Sequence, residues 1–327
     1  MRPSQINRMI TRALQEPEHP PIFLWGPPGV GKTAVVASSA RSAKATLMYR
    51  LMSVRDPVDV KGIPGLTADR KKMFFAPPID LFPDNPQGTY IYFFDEITLA
   101  NPATQAAIYQ ILAEKRIEKQ RLPEHSLVIL ASNRLEDRAG VRDLASPFAN
   151  RVIHIDFDVD LDDWRNWAII NQVAGEIIAF ISLNVDLLFK FDPQSDKRGF
   201  PTPRSIVRAN LIIKVHQGES YVWEMVEGAV GKEWAAKYRQ YLAIYKELPD
   251  VDDILRGKNQ LVPTRSDLRF AIAALLGNKA MPEHLEAVMR YSMKLPPEHS
   301  LFLIQLLTRR QGISTQLIKT PTFTAWQ

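Results

Sequence analysis

The run GPPGVGKT, residues 26–33, directly follows the apolar stretch PIFLW at 21–25 and precedes a helix-forming segment. A plain turn needs a glycine or two. This run also sets a lysine and a hydroxyl at fixed offsets, in the pattern G-x-x-x-x-G-K-[ST]. In that pattern, loop backbone N–H groups and the N-terminus of the next helix wrap anionic phosphate oxygens. Gly26, Pro27, Pro28, Gly29, Val30 and Gly31 form the candidate cradle, Lys32 is placed to reach the β- and γ-phosphates, and Thr33 to ligate Mg²⁺. The expected ligand is a nucleoside triphosphate.

Further apolar runs of strand length recur at 46–52, 90–94, 127–131 and 151–157, with helix-spaced segments between several of them. That alternation predicts an α/β architecture with a mainly parallel, buried sheet. From Leu161 onward strand signals fade, and helices are expected over 161–170, 204–213, 224–245 and 266–276. The boundary falls in DVDL at 158–161, giving an α/β nucleotide-binding core over 1–158 and a helical part over 159–327. The proline-rich stretch 191–203 reads as a loop, and 312–327 as a tail or partner contact.

Two strand ends carry further chemistry. YIYFFDE, residues 90–96, closes on adjacent carboxylates. Neighbouring strand positions point to opposite faces, so Asp95 can address the metal while Glu96 meets a water near the γ-phosphate as a candidate base. LVILASN, residues 127–133, closes on a Ser-Asn step. If it lies beside the carboxylate strand, the Asn133 amide can hold the attacking water or the γ-phosphate. Between these two strands, Asn101 and Pro102 suit a helix start.

Composition narrows the class. At 46% apolar residues, 327 residues bury a sizeable core, and no apolar run reaches membrane-span length. Neither is there a basic segment followed by an apolar one at the start, so a cytoplasmic protein is expected. Cysteine is absent, which excludes disulfides, cysteine zinc sites and thiol catalysis. The 41 basic and 36 acidic residues are interspersed, with no aromatic-basic module, so nucleic acid is not an expected partner.

Taken in order, the phosphate loop, Asp95-Glu96, Asn133, ANRV at 149–152 and TPR at 202–204 resemble the motifs of AAA+ ATPases. The wording is most similar to the MoxR branch: KGIP at 61–64, FAPP at 75–78, FDEI at 94–97 with NPATQ at 101–105, and FPTPRS at 200–205. The resemblance spans about residues 1–216 in motif order. It implies an AAA+ core with a five-stranded sheet flanked by helices, a helical lid with a C-terminal extension, ATP and Mg²⁺ at subunit interfaces, and a ring, commonly a hexamer. It also implies Asn133 as sensor one, Arg151 as the arginine finger and Arg204 as the sensor-two arginine. Arg134, Arg138 and Arg142 compete for the finger role, since NRV stands where the family more often has an aromatic after the arginine. Val54–Pro78 resembles an insert facing the ring surface or pore, with Met73, Phe74 and Phe75 as client contacts if they are not core. The charged run at 114–121 reads as a solvated connection or a hairpin.

The function expected from the resemblance is ring-forming ATP hydrolysis that remodels or activates a partner protein, by chaperone-like assembly or metal insertion. A partner in that branch carries a von Willebrand factor A domain. The alternative is a DNA-acting motor of the branch-migration or clamp-loader type; a nucleotide-gated switch is a third, against which Glu96 and Arg151 supply hydrolytic parts.

Overall fold

The computed structural model describes residues 1–79, 81–137, 146–195, 197–245, 248–310 and 312–326. The chain divides into two compact units, Met1–Asp160 with Asp192–Ser195, and Leu161–Phe191 with Asp196–Gln327.

The first unit opens with helix α1 (Pro3–Ala13), strand β1 (Ile22–Trp25), helix α2 (Lys32–Ser42) and strand β2 (Thr46–Leu51). A short helix α3 (Val58–Lys61) leads into the strands β3 (Ile63–Leu66) and β4 (Met73–Ala76), then comes β5 (Tyr90–Asp95). Helix α4 (Pro102–Glu114) is followed by β6 (Arg116–Ile117), β7 (Gln120–Arg121), β8 (Ser126–Ser132), the turn of helix α5 (Ser146–Ala149) and β9 (Ile153–Asp156). Five strands form one sheet in the order β2-β5-β8-β1-β9. Every pairing in it is parallel. All residues of β5 and β8 are buried, as a strand covered on both faces requires, which is why both read as unbroken apolar runs.

Parallel strands put all their C-terminal ends on one edge, and the phosphate loop, Asp95 and the end of β8 share that edge. One face of the sheet is sealed by Phe23, Tyr92, Phe94 and Leu130 packing on Ile108 and Ile111 of α4 and on Phe148. Asn101 caps α4 by accepting from the Thr104 N–H at 2.8 Å, with Pro102 in the first turn, as its sequence predicts.

Two stretches whose sequence reading stood open take one of the two alternatives. Met73 and Phe74 are 62% and 49% exposed, so they are not core: β3 and β4 pair into an antiparallel hairpin that also exposes Ile63 and Leu66. The charged run at 114–121 folds back as the β6–β7 hairpin, with Arg116 opposite Arg121, instead of running as a plain connection.

The second unit is helical among its described residues: α6 (Leu161–Ile170), α7 (Gly175–Leu183), α8 (Pro203–Val215), α9 (Val222–Val230), α10 (Lys232–Tyr245), α11 (Val251–Leu255), α12 (Ser266–Lys279), α13 (Leu285–Ser292), α14 (Pro297–Thr308), α15 (Ser314–Leu317) and α16 (Pro321–Trp326). Helix α7 is its centre: Ile177 through Ile181 are all buried, and the Phe180 ring meets Trp234 at 5.2 Å and Tyr238 at 5.0 Å. The helix expected over 224–245 is two helices, broken at Gly231, where φ is +85° and a Cβ would stand 2.7 Å from the Gly199 carbonyl oxygen. The stretch read as a tail is docked: Leu317 and Phe323 are buried, Thr322 Oγ1 donates to Glu286 at 2.6 Å, and Trp326 Nε1 donates to Ser300 at 2.6 Å. Its helices are too short for a periodic pattern to show.

Candidate active site

Helix α2 begins at Lys32 on the left-handed Gly31, whose φ of +109° few L side chains adopt. That turn ends the loop and aims the first N–H groups of α2 back across it. Lys32 is buried, and its Nζ donates to the carbonyls of Gly26 and Pro27 and, at 3.0 Å, to Asn133 Oδ1. One turn position on, Thr33 Oγ1 donates to Asp95 Oδ2 at 2.9 Å. Two adjacent residues from the loop thus meet one from β5 and one from the end of β8, three stretches far apart in sequence. Burial pushes the Asp95 carboxyl above its ordinary value, against the pull of the Thr33 hydrogen bond and the Lys32 charge.

Glu96 leaves the strand in the left-handed region at φ +56°. A glutamate there costs about 1–3 kcal/mol, a distortion that concentrates at functional sites. Its N–H donates to Asp95 Oδ1 at 3.0 Å, while its carboxylate accepts from Ser53 Oγ at 2.7 Å. The two carboxylates therefore take different partners, Asp95 on Thr33 and Glu96 on Ser53, and the left-handed turn at Glu96 parts them. Ser53 was not singled out in the sequence, although it follows β2 as a polar residue after an apolar run, the pattern used for Asn133. Behind these groups, buried Thr98 and Ser132 hydrogen-bond and tie the turn after Glu96 to the end of β8.

Arg151 stands elsewhere. Ile22 is level with Ile153 in the β1–β9 pairing, which sets Arg151 two residues beyond, near the level of Pro20. Gly26 follows the opposite end of β1. Roughly six residues of strand, about 20 Å, separate the Arg151 backbone from its own phosphate loop. The exposed guanidinium lies over the Tyr109 ring, 4.6 Å from its centroid. Arg134 is held within its own unit by Asp156 Oδ1, at 3.0 Å from both Nε and Nη2. Arg138 and Arg142 lie outside the described residues. Arg204 belongs to the second unit, exposed in the first turn of α8, whose cap Thr202 accepts from the Ser205 N–H at 3.1 Å.

Residues 21–152 match the family model described as AAA domain, dynein-related subfamily. The first unit holds an AAA+ ATPase domain. AAA+ ATPases bind and hydrolyse ATP, and the loop, carboxylates and Asn133 described above all fall inside the matched span. Among solved structures, the chain is similar to Thermotoga maritima RuvB, a Holliday junction branch migration motor, at 18% identity with a TM-score of 0.39, covering 86% of this chain and 86% of that one. It is also similar to NtrX of Brucella abortus, solved in complex with ATP, at 13% identity with a TM-score of 0.42, covering 99% of this chain and 66% of that one. No curated protein matches the sequence at a significant level.

The residues of the AAA+ domain fit a Mg²⁺-nucleotide. Thr33 and Asp95 offer neighbouring oxygen donors at the start of α2, and hard cations take oxygen. Among the described residues, no group of three or more acidic, histidine or cysteine side chains gathers into a protein-only metal cage. No helix among the described residues is long and apolar enough to cross a membrane.

Proposed function

We propose that this protein is a MoxR-like AAA+ ATPase whose subunits complete one another's sites in a ring and whose hydrolysis remodels or activates a partner protein. The observation that carries the ring is the separation of Arg151 from its own phosphate loop by the length of β1. A permanent, forked cation so placed serves a site on another subunit. Within a subunit, the loop N–H groups and Lys32 bind the phosphates. Thr33 and Asp95 hold Mg²⁺, which neutralises phosphate charge when bound. Glu96 takes the proton of the attacking water after release from Ser53, and Asn133 orients that water once Lys32 turns to the phosphates. Arg151 of the neighbour meets the charge that develops on transfer, and Arg204 is the candidate second arginine.

The partner-directed reading is supported by the β3–β4 hairpin, which exposes Ile63, Leu66, Met73 and Phe74 beside the basic run Arg70, Lys71 and Lys72. Clustered exposed apolar side chains on a strand insert mark contact surfaces. ATP turnover measured alone, with a purified protein carrying a von Willebrand factor A domain, and with duplex DNA tests it. Stimulation by the protein is expected, and Met73→Asp with Phe74→Asp should remove it. Stimulation by DNA alone would replace this reading with a DNA motor.

A further inference from the structure

Two side chains beside the site stand outside the mechanism above. Trp25 ends β1, immediately before Gly26, and His154 lies on β9 in register with Phe23. Trp25 Nε1 donates to His154 Nδ1 at 2.8 Å. An indole N–H is a donor only, so Nδ1 carries no proton. The proton is on Nε2, which donates to the Ala149 carbonyl at 3.0 Å. Both ring nitrogens are thus engaged in a single tautomer. Stacking sets the plane: the His154 ring lies 5.9 Å from Phe23 and 6.0 Å from Trp25, which themselves stack at 4.0 Å.

Ala149 and His154 bracket Arg151. Phe148 anchors the start of this turn in the core, and the Arg151 N–H donates to the Phe148 carbonyl at 3.2 Å. The His154–Ala149 bond closes the turn from the other side. A hydrogen-bonded chain therefore runs from the end of β1 that feeds the phosphate loop, through one imidazole, to the segment that carries Arg151. Reach alone does not make an arginine effective: a displacement of about 1 Å in a positioned group can cost on the order of 10²-fold in rate. Arg151 is exposed and stands on a turn, so its base needs fixing from outside the helix and strand that flank it.

We propose that His154 is a positioning residue for the finger: it clamps the Arg151 turn to β1 and so ties the site a subunit completes in its neighbour to the strand that feeds its own phosphate loop. This rests on the reading of Arg151 as acting on an adjacent subunit. No chemistry passes through the imidazole; its contribution is to hold the Ala149 carbonyl.

Mixed rings test it. Lys32→Ala subunits supply a finger without binding ATP, and Arg151→Ala subunits supply an ATP site without a finger, so turnover in the mixture comes from interfaces that pair the two. His154→Phe keeps an aromatic ring and deletes both hydrogen bonds. Placed on the Lys32→Ala subunit, it should lower the restored turnover by roughly three- to tenfold at unchanged KM for ATP, as loss of two modest hydrogen bonds implies. Placed on the Arg151→Ala subunit, it should change turnover by less than about twofold, because no finger is read there. His154→Gln on the finger-supplying subunit should stay within about twofold of the parent mixture, since its terminal amide can donate to Ala149. Equal losses from both placements, or from Phe and Gln alike, overturn the proposal and assign His154 a general structural part; an undiminished His154→Phe finger subunit overturns it too. Failure of the finger reading shows separately: mixed rings that form without any His154 change and hydrolyse nothing remove both.

Discussion

Asp95 ends an all-buried strand at 8% exposure, and burial raises its pKa more than Thr33 and Lys32 lower it. A carboxyl whose folded pKa is raised stabilises the fold below its unfolded value and loses that contribution as pH rises through the folded value; above it, the ionised form carries a desolvation cost. Asp95→Asn keeps an acceptor for Thr33 and removes that cost. In thermal unfolding without nucleotide or Mg²⁺, the variant should melt above the parent at pH 7–8, and the difference should vanish toward pH 3.8, the ordinary value for the group. A variant that melts lower at neutral pH would show that the carboxylate is a structural anchor. The same substitution should abolish Mg²⁺-dependent turnover. Lys32, Thr33, Asp95, Glu96 and Asn133 were legible because each follows an apolar run by a short offset, and strand ends are where α/β folds place chemistry. Ser53 obeys the same rule. It escaped notice because its meaning depends on β2 lying next to β5, and a sheet order is not written in any one segment.

All five strands of the main sheet lie where apolar runs placed them, since length and unbroken hydrophobicity are local properties. The helix expected over 224–245 was misread at Gly231 because both flanks keep helical spacing; the break comes from a tertiary approach, with the Gly199 backbone filling the space a side chain would need. Gly231→Ala joins strain at positive φ with that clash. It should cost about 1–3 kcal/mol or more, lowering Tm by several degrees in a thermal melt. A neutral result would mean that α9 and α10 can fuse into one helix. The β3–β4 hairpin was hard to read for the opposite reason: its residues are as apolar as a core strand, and only the structure shows that they face outward. Exposure of such residues is a property of topology, and the pattern alone favours burial.

At the scale of the molecule, the proposed roles give one subunit Lys32 for the phosphates and Glu96 for the water, whereas parallel pairing puts Arg151 about 20 Å from the loop along the strands. Phosphoryl transfer needs a cation where charge develops, and arginines supplied by another chain are worth on the order of 10³–10⁵ in turnover. If the neighbour brings it, a monomer is a binding-competent but slow enzyme, and assembly is the switch. Specific activity should then rise with protein concentration across the range in which light scattering shows assembly, and should plateau once rings are complete. Arg151→Ala should bind ATP with near-parental affinity in a filter or calorimetric assay while its turnover falls by on the order of 10³-fold or more, at every concentration. The discriminating result is the shape of the concentration curve. Parent activity that stays flat from a proven monomer to a proven ring would mean that the site is complete within one chain, and Arg151 would then be a surface arginine resting on Tyr109.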